Sequence, residues 1–239
     1  MAQKADVKKF VVLLSGGLDS TLNLYESIDQ GQVELALTFN YGQKAASREI
    51  EVCKKFCREL GVAHKVIDLP WFQDFTFSSL VDAGKSPPIG LAVKIDDLET
   101  SLQTAKNVWV PNRNGIFLNI GAGFAEGLGA GYVVVGFNAE EAQTFPDNSL
   151  AYLEQTNKSF AYSTANKTQA VSFTTNLNKT QMVLRASELN IPLENVWPCY
   201  FSGETLCGHC ESCQRFNRAV KDAKIKMTGR RSTSLDTRL

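Results

Sequence analysis

Apolar positions along the chain alternate between two patterns. Short, nearly unbroken runs occur at Phe10–Leu14, Val33–Phe39, His64–Leu69 and Tyr132–Phe137, with a fifth, more polar run near Val171–Thr174. Between them lie longer segments with helical spacing, at Ser20–Gln30, Lys44–Leu60, Gly115–Gly129 and Asn178–Leu189. The first pattern predicts strands and the second helices. Wholly apolar strands separated by helices predict a parallel sheet covered on both faces, an α/β doubly wound fold. Gly121, Gly123, Gly127 and Gly129 all fall in one predicted helix. Glycine lowers helix stability, so close packing of that helix on the sheet is the expected compensation. Trp71 to Val108, with Pro87-Pro88, is a longer connection than such a unit needs. It suits either a lid over a site or an unstructured loop.

Composition narrows the class without choosing a function. The chain has 239 residues, with 25 Lys and Arg against 25 Asp and Glu. That balance gives no global field to attract nucleic acid or a membrane surface. The length suits one large domain with a small appendage, divided as 1–190 and 191–239. Only five consecutive apolar residues precede Ser15, too few for a secretory signal, and the weakly polar stretch Ile116–Ala125 carries Asn119. A cytoplasmic protein is expected.

The turn after the first strand carries the strongest chemical signal. It reads Ser15-Gly16-Gly17-Leu18-Asp19-Ser20, followed by Thr21 and the first helical pattern. A strand, a glycine turn and a helix N-terminus aim free backbone N–H groups and a positive dipole end at one point. The glycines admit an anion to the backbone, and the hydroxyls of Ser15, Ser20 and Thr21 add donors. The stretch suits phosphate or pyrophosphate. It lacks the Gly-Lys-Ser/Thr of a Walker A loop and the spacing of the dinucleotide fingerprint. The plainer alternative is a Ser/Gly turn in which Asp19 or Ser20 caps the helix.

Four of the six cysteines form a second signal: Cys199-x7-Cys207-x2-Cys210-x2-Cys213. Cys-x2-Cys brings two sulfurs to one tetrahedral ion from a tight turn. Such a set favours Zn²⁺, with an iron–sulfur cluster and disulfides as alternatives. Four thiolates close the coordination sphere, so a structural metal is expected, with His209 outside it. Cys53 and Cys57 read as small buried residues of the second helix, and His64 as a packed strand residue.

Together these two ends resemble the 7-cyano-7-deazaguanine synthases, the QueC family of PP-loop ATP pyrophosphatases. The resemblance spans nearly the whole chain. It includes Thr38-Phe39-Asn40-Tyr41-Gly42-Gln43-Lys44, where the family has Asp and Arg in place of Asn40 and Lys44. It also includes Val110-Pro111-Asn112-Arg113-Asn114, where the family has Gly in place of Asn112, and the helix-opening Lys179. The segment Gly136–Ser149 departs further: Glu141, Pro146 and Asp147 keep the family's character, but its serine, tyrosine, cysteine and arginine are absent.

The resemblance implies a PP-loop (adenine nucleotide alpha hydrolase-like) fold with a small C-terminal zinc-binding segment. It implies a ligase that joins 7-carboxy-7-deazaguanine and ammonia and makes the nitrile with ATP, Mg²⁺ and Zn²⁺. Acting on a small molecule, it would need no direct nucleic-acid or membrane contact and would be a homodimer. In that reading Leu14, Ser15, Gly16, Gly17, Leu18, Asp19, Ser20 and Thr21 hold ATP and its magnesium, and Phe39 and Asn40 meet the adenosine. Asp19, Ser20, Arg113 and Lys179 are the catalytic set, the two cations neutralising phosphate or carboxylate charge. Arg113 with Glu141 or Asp147 meets the acceptor, a carboxylate pairing with the N–H edge of the deazaguanine. Asp147 could instead cap a helix beginning near Asn148. Two other functions fit the sequence: a PP-loop relative that passes an activated deazaguanine-like acid to another amine or to tRNA, and a non-catalytic zinc-knuckle binding module.

Overall fold

Five parallel strands, in the order β3-β2-β1-β4-β5, form the spine of the computed structural model, which describes residues 7–227. The end of the predicted C-terminal extension, 228–239, lies outside the described residues. The strands are β1 (Lys9–Leu13), β2 (Gln32–Asn40), β3 (His64–Asp68), β4 (Tyr132–Val134) and β5 (Gln169–Val171). Helices α1 (Leu18–Gln30), α2 (Ala46–Leu60), α3 (Leu98–Val108) and α4 (Arg113–Gly127) precede β4. Helices α5 (Leu150–Ser163), α6 (Lys179–Glu188) and α7 (Glu211–Asp222) follow it.

The predicted doubly wound sheet is present, and β1 shows why its sequence reads as unbroken. Val11 and Leu13 enter a core with Leu118, Ala122 and Ala125 of α4. Phe10, Val12 and Leu14 point the other way, into a core with Leu24 of α1 and Cys53 and Cys57 of α2. Alternate side chains leave opposite faces of a strand, and here both faces are covered. The chain runs outward from β1 through β2 to β3, then returns to place β4 on the other side of β1. That reversal sits beside β1, and in open α/β sheets ligands bind beyond the strand C-termini at such a point.

Three predicted details change. β4 ends at Val134, short of Phe137, and β5 runs Gln169–Val171, ending where the predicted run Val171–Thr174 begins. Beyond them the Ser172 and Thr174 hydroxyls both donate to the Phe137 carbonyl, at 3.2 and 2.6 Å, replacing a ladder by side-chain bonds. Glycine packing on the sheet holds at Gly121, where a Cβ would come within 2.9 Å of Leu13 and Val133. It does not hold at Gly123, Gly127 or Gly129, where a Cβ would meet nothing within 4 Å.

The Trp71–Val108 connection is structured and carries α3, capped by Asp97, which accepts from Glu99 N at 3.1 Å. Leu80 O accepts from Lys44 N at 2.8 Å, and Gly90 N donates to His209 O at 3.0 Å. Ile89 also bridges Cys210. The excursion therefore fastens the start of α2 to the cysteine segment. That segment joins a third core, in which Cys199, Cys210 and Cys213 pack with Leu18 and Leu22 of α1, Phe56 of α2 and Met182 of α6.

Candidate active site and metal centre

The turn after β1 is ordered by its own hydroxyls. Ser20 Oγ accepts from Ser15 N at 3.1 Å, lies 3.0 Å from Ser15 Oγ and donates to Gly17 O at 3.3 Å. Gly16 adopts φ +77°, and a Cβ there would come within 2.9 Å of Val52 on α2. Only glycine fits so positive a φ at so close an approach. The N-cap of α1 is Gly17, which has no side chain with which to cap the helix. This corrects the alternative in which Asp19 or Ser20 is the cap. The first turn of α1 thus keeps its dipole and amide donors for a ligand.

Lys179, the first residue of α6, ties this turn to the loops beyond β4. Its ammonium donates to Asp19 Oδ1 at 2.7 Å and to Glu141 Oε1 at 2.8 Å. Asn138 donates to Asp19 Oδ2 at 2.9 Å, while its own oxygen accepts from the Glu140 and Glu141 amides at 3.0 Å each. Burial pushes the Asp19 carboxyl up to about 6, against the pull of Lys179. Burial also works to raise Glu141, but Lys179 outweighs it and holds that carboxyl below its ordinary value. Burial opposes the charge on Lys179, yet the two carboxylates overcome it and raise its pKa.

The opposite wall is aromatic. Phe39 stacks on Phe117 of α4 at a centroid distance of 4.0 Å, and Tyr41 tilts against Phe117. Arg113, at the start of α4, donates to the Tyr41 hydroxyl at 3.4 Å. Its approach depends on Asn112, which adopts φ +51° just before the helix. Asparagine tolerates this left-handed conformation, which accounts for its replacing the glycine typical of the resembling sequences.

One cavity of about 270 Å³ joins the two walls. Leu14, Ser15, Gly17, Leu18, Asp19 and Ser20 line one end of it. Phe39, Arg113, Glu141 and Lys179 also face it, so most of the predicted set comes together. Outside the cysteine set, four predicted residues are not among its walls. Gly16 is turned toward Val52, and its carbonyl accepts from Trp197 N at 2.7 Å. Thr21 is buried, and its hydroxyl has no partner among the described residues. Asn40 is engaged at the neighbouring strand, donating to Asp68 Oδ1 at 2.8 Å. Asp147 lies just outside, its pKa raised by burial and held back by the charge of Arg113. The cap of α5 is Ser149, accepting from Tyr152 N at 3.1 Å, so Asp147 is not the cap of that helix either.

Sequence patterning missed other wall residues: Gln43 and Glu49, and Tyr200, Glu211 and Arg215 beside the cysteines. Gln43 stands within the quoted Thr38–Lys44 stretch, which was a usable signal. Arg215 pairs with Glu211 one turn earlier on α7 at 2.9 Å and, in a contact that only the fold creates, with Glu140 at 3.3 Å.

Cys199 lines the cavity, and the sulfurs of Cys199, Cys207, Cys210 and Cys213 all lie within 4.8 Å of one another. Cys207 Sγ accepts from the His209 and Cys210 amides at 3.4 and 3.3 Å, and Cys199 Sγ from the Phe201 amide at 3.5 Å. Amide donors aimed at sulfur stabilise thiolates, and four thiolates about 2.3 Å from one tetrahedral centre would fall inside this spacing. The four cysteines can hold a metal ion. His209 is exposed.

Comparison with known proteins agrees with this architecture. Residues 9–224 match the family described as "Queuosine biosynthesis protein QueC". A 7-cyano-7-deazaguanine synthase of Bdellovibrio bacteriovorus is 55% identical over 219 residues, covering 91% of this chain and 95% of that protein. The protein of the same name from Carboxydothermus hydrogenoformans is 47% identical, covering 89% of this chain and 98% of its own. That from Methanosarcina mazei is 44% identical, covering 91% and 96%.

Proposed function

The chain belongs to the QueC family, and from that premise we propose that it is a 7-cyano-7-deazaguanine synthase of queuosine biosynthesis. The proposed reaction takes 7-carboxy-7-deazaguanine, ammonia and two ATP. Attack of the carboxylate on the α-phosphate releases pyrophosphate and makes an acyl adenylate. Ammonia displaces AMP to give the amide. A second ATP adenylates the amide oxygen, again releasing pyrophosphate, and loss of AMP with two N–H protons leaves the nitrile. No protein nucleophile is needed, so catalysis is positioning and charge stabilisation.

The observation that carries this reading is one cavity lined both by an uncapped helix N-terminus and by the aromatic pair Phe39 and Phe117. Ser15, Gly17 and Ser20 are suited to the phosphates. Lys179 can exchange its carboxylate contacts for phosphate oxygens as they arrive, and Arg113 can meet the acceptor carboxylate. Asp19 is the hard oxygen donor that would hold Mg²⁺, which when bound offsets phosphate charge. The four cysteines suit Zn²⁺, a structural ion in a closed site, and leave catalysis to the other residues. The same reading makes the protein a cytoplasmic homodimer; no helix among the described residues is long and apolar enough to cross a membrane.

The test is to incubate the protein with ATP, Mg²⁺, ammonium and 7-carboxy-7-deazaguanine and weigh the products. The nitrile and AMP are expected. A different amine adduct would indicate the acyl-transfer relative, and absence of AMP would overturn an ATP-dependent ligase.

A further inference from the structure

The edge of a deazaguanine presents two neighbouring donors, a ring N–H and the 2-amino group. A carboxylate matches them with two acceptor oxygens. The sequence suggests Glu141 or Asp147 for this task, but Glu141 is engaged by Lys179 and Asp147 is not a cavity wall. A third carboxylate, Glu49 in the first turn of α2, does line the cavity. Among the described residues it enters no salt bridge.

Glu49 is held in place. Gln43 Nε2 donates to Glu49 Oε2 at 2.8 Å and to Phe39 O at 2.9 Å, while Gln43 Oε1 accepts from Tyr41 N at 2.9 Å. The amide is thus fixed by backbone on both sides, and it fixes the carboxylate in the cavity that Phe39 and Phe117 also line. Gln43 uses only part of the carboxylate's acceptor capacity. Burial pushes the Glu49 carboxyl up to about 7, against the Gln43 hydrogen bond and the charge of Arg113. A carboxylate drawn away from water with no direct ion pair is costly, and a ligand bringing two N–H donors would relieve that cost.

We propose that Glu49, positioned by Gln43, binds the N–H and 2-amino edge of the deazaguanine and thereby selects it against adenine. This rests on the function proposed above. The adenine edge offers one amino donor beside an unprotonated ring nitrogen, whose lone pair would face the second carboxylate oxygen. Glu49 therefore assigns its end of the cavity to the acceptor, with the adenosine of ATP elsewhere along the wall. Arg113, within reach of the same aromatic surface, then faces the acceptor's carboxylate.

The experiment compares wild type with Glu49→Gln on 7-carboxy-7-deazaguanine and on the counterpart lacking the 2-amino group, following AMP release. In wild type the 2-amino compound should have a KM lower by about one to two orders of magnitude. Glu49→Gln should erase most of that preference by raising KM for the 2-amino compound alone, with kcat and the KM for ATP little changed. Glu49→Asp, which keeps the charge but withdraws it, covers the case in which the glutamine variant fails to fold. It too should penalise only the 2-amino compound. Calorimetry gives a separate readout: near neutral pH, binding of the 2-amino compound should release protons from Glu49, seen as a buffer-dependent enthalpy that Glu49→Gln abolishes.

Equal losses on both compounds would overturn the proposal in favour of a structural role. A fall in kcat at constant KM would overturn it in favour of proton transfer. Failure of wild type to release AMP would instead count against the proposed function, while calorimetry would still report whether Glu49 binds the heterocycle.

Discussion

The glycine loop after β1, proposed above as the phosphate loop, and the cysteine loop come from opposite ends of the sequence and meet where Trp197 N donates to Gly16 O. They reach order in opposite ways. Ser15–Ser20 is shaped by its own hydroxyls, by the close approach of Gly16 to α2 and by the Lys179 ion pairs, all supplied by the protein. Cys199–Cys213 converges four sulfurs on one point, an arrangement that a soft cation turns into a stabilising one. In the function proposed above, the first loop is ordered before its ligand arrives, while the second would depend on a metal ion. Perturbations should therefore reach the two loops with different sizes.

The largest effect should come from the metal. Chelation, or Cys210→Ser, should lower stability by several kcal/mol or more, since structural zinc in small sites contributes on the order of 10 kcal/mol. Metal content and thermal unfolding measure this directly. The Trp197–Gly16 bond should pass part of the loss to the phosphate loop, so ATP affinity should fall as well. A chelated protein with unchanged melting and unchanged ATP binding would end the contrast between the loops.

Next in size is Lys179→Met. It leaves Asp19 and Glu141 as neighbouring buried carboxylates without their shared cation, and breaking such a pair costs about 3–5 kcal/mol. AMP formation should be lost. Adding Asp19→Asn should restore part of the stability but none of the activity. If the single variant unfolds at the wild-type denaturant concentration, the ion-pair cluster is not what orders the phosphate loop.

Legibility in the sequence follows the same division. The glycine turn and the convergence of the four cysteines could be read because each is a short stretch whose geometry depends on local spacing. The parallel sheet could be read because both faces of its central strands are covered. α5 escaped because only Leu153 and Phe160 among its residues are buried, too sparse a stripe to stand out. α3 escaped because Trp71–Val108 stands out in the sequence by its length and by Pro87-Pro88, not by a helical stripe. Glu49, Tyr200 and Arg215 escaped because their roles arise where α2, the cysteine segment and α7 converge on one cavity, and no local pattern records that convergence.

A smaller effect separates the protonation states of Asp19. Its carboxyl titrates at about 6 in the folded protein against an ordinary 3.8, raised chiefly by burial. A carboxyl raised by folding favours the folded state below its unfolded value and loses that contribution as pH rises through the folded one. A shift of this size corresponds to roughly 2–3 kcal/mol. Unfolding curves of wild type and Asp19→Asn, taken from about pH 4 to about pH 7, should therefore change their spacing by that amount in favour of the variant. Activity should move the other way, because only ionised Asp19 pairs with Lys179, so AMP formation should decline below about pH 6. Curves that stay parallel would mean that Asp19 keeps its ordinary pKa and that the cluster is better solvated than its geometry implies.

The smallest effect tests whether Lys179 is placed by its ion pairs or by the helix that carries it. Asn178 caps α6: its Oδ1 accepts from Gln181 N at 2.9 Å, and its own N–H donates back to Gln181 Oε1 at 2.9 Å. Lys179 follows directly, and its backbone N–H is held separately by Glu140 Oε1 at 2.9 Å. Asn178→Ala removes the cap, a loss worth about 1 kcal/mol. The Lys179 ammonium would still be fixed by Asp19 and Glu141 across the cavity. AMP formation should then fall by less than about threefold, since little transition-state stabilisation is lost. The lowered melting temperature would show that the cap had gone. If Asn178→Ala instead removes activity as completely as Lys179→Met, the helix end would be the organising element. The phosphate loop would then depend on a distant support as much as the cysteine loop depends on its metal.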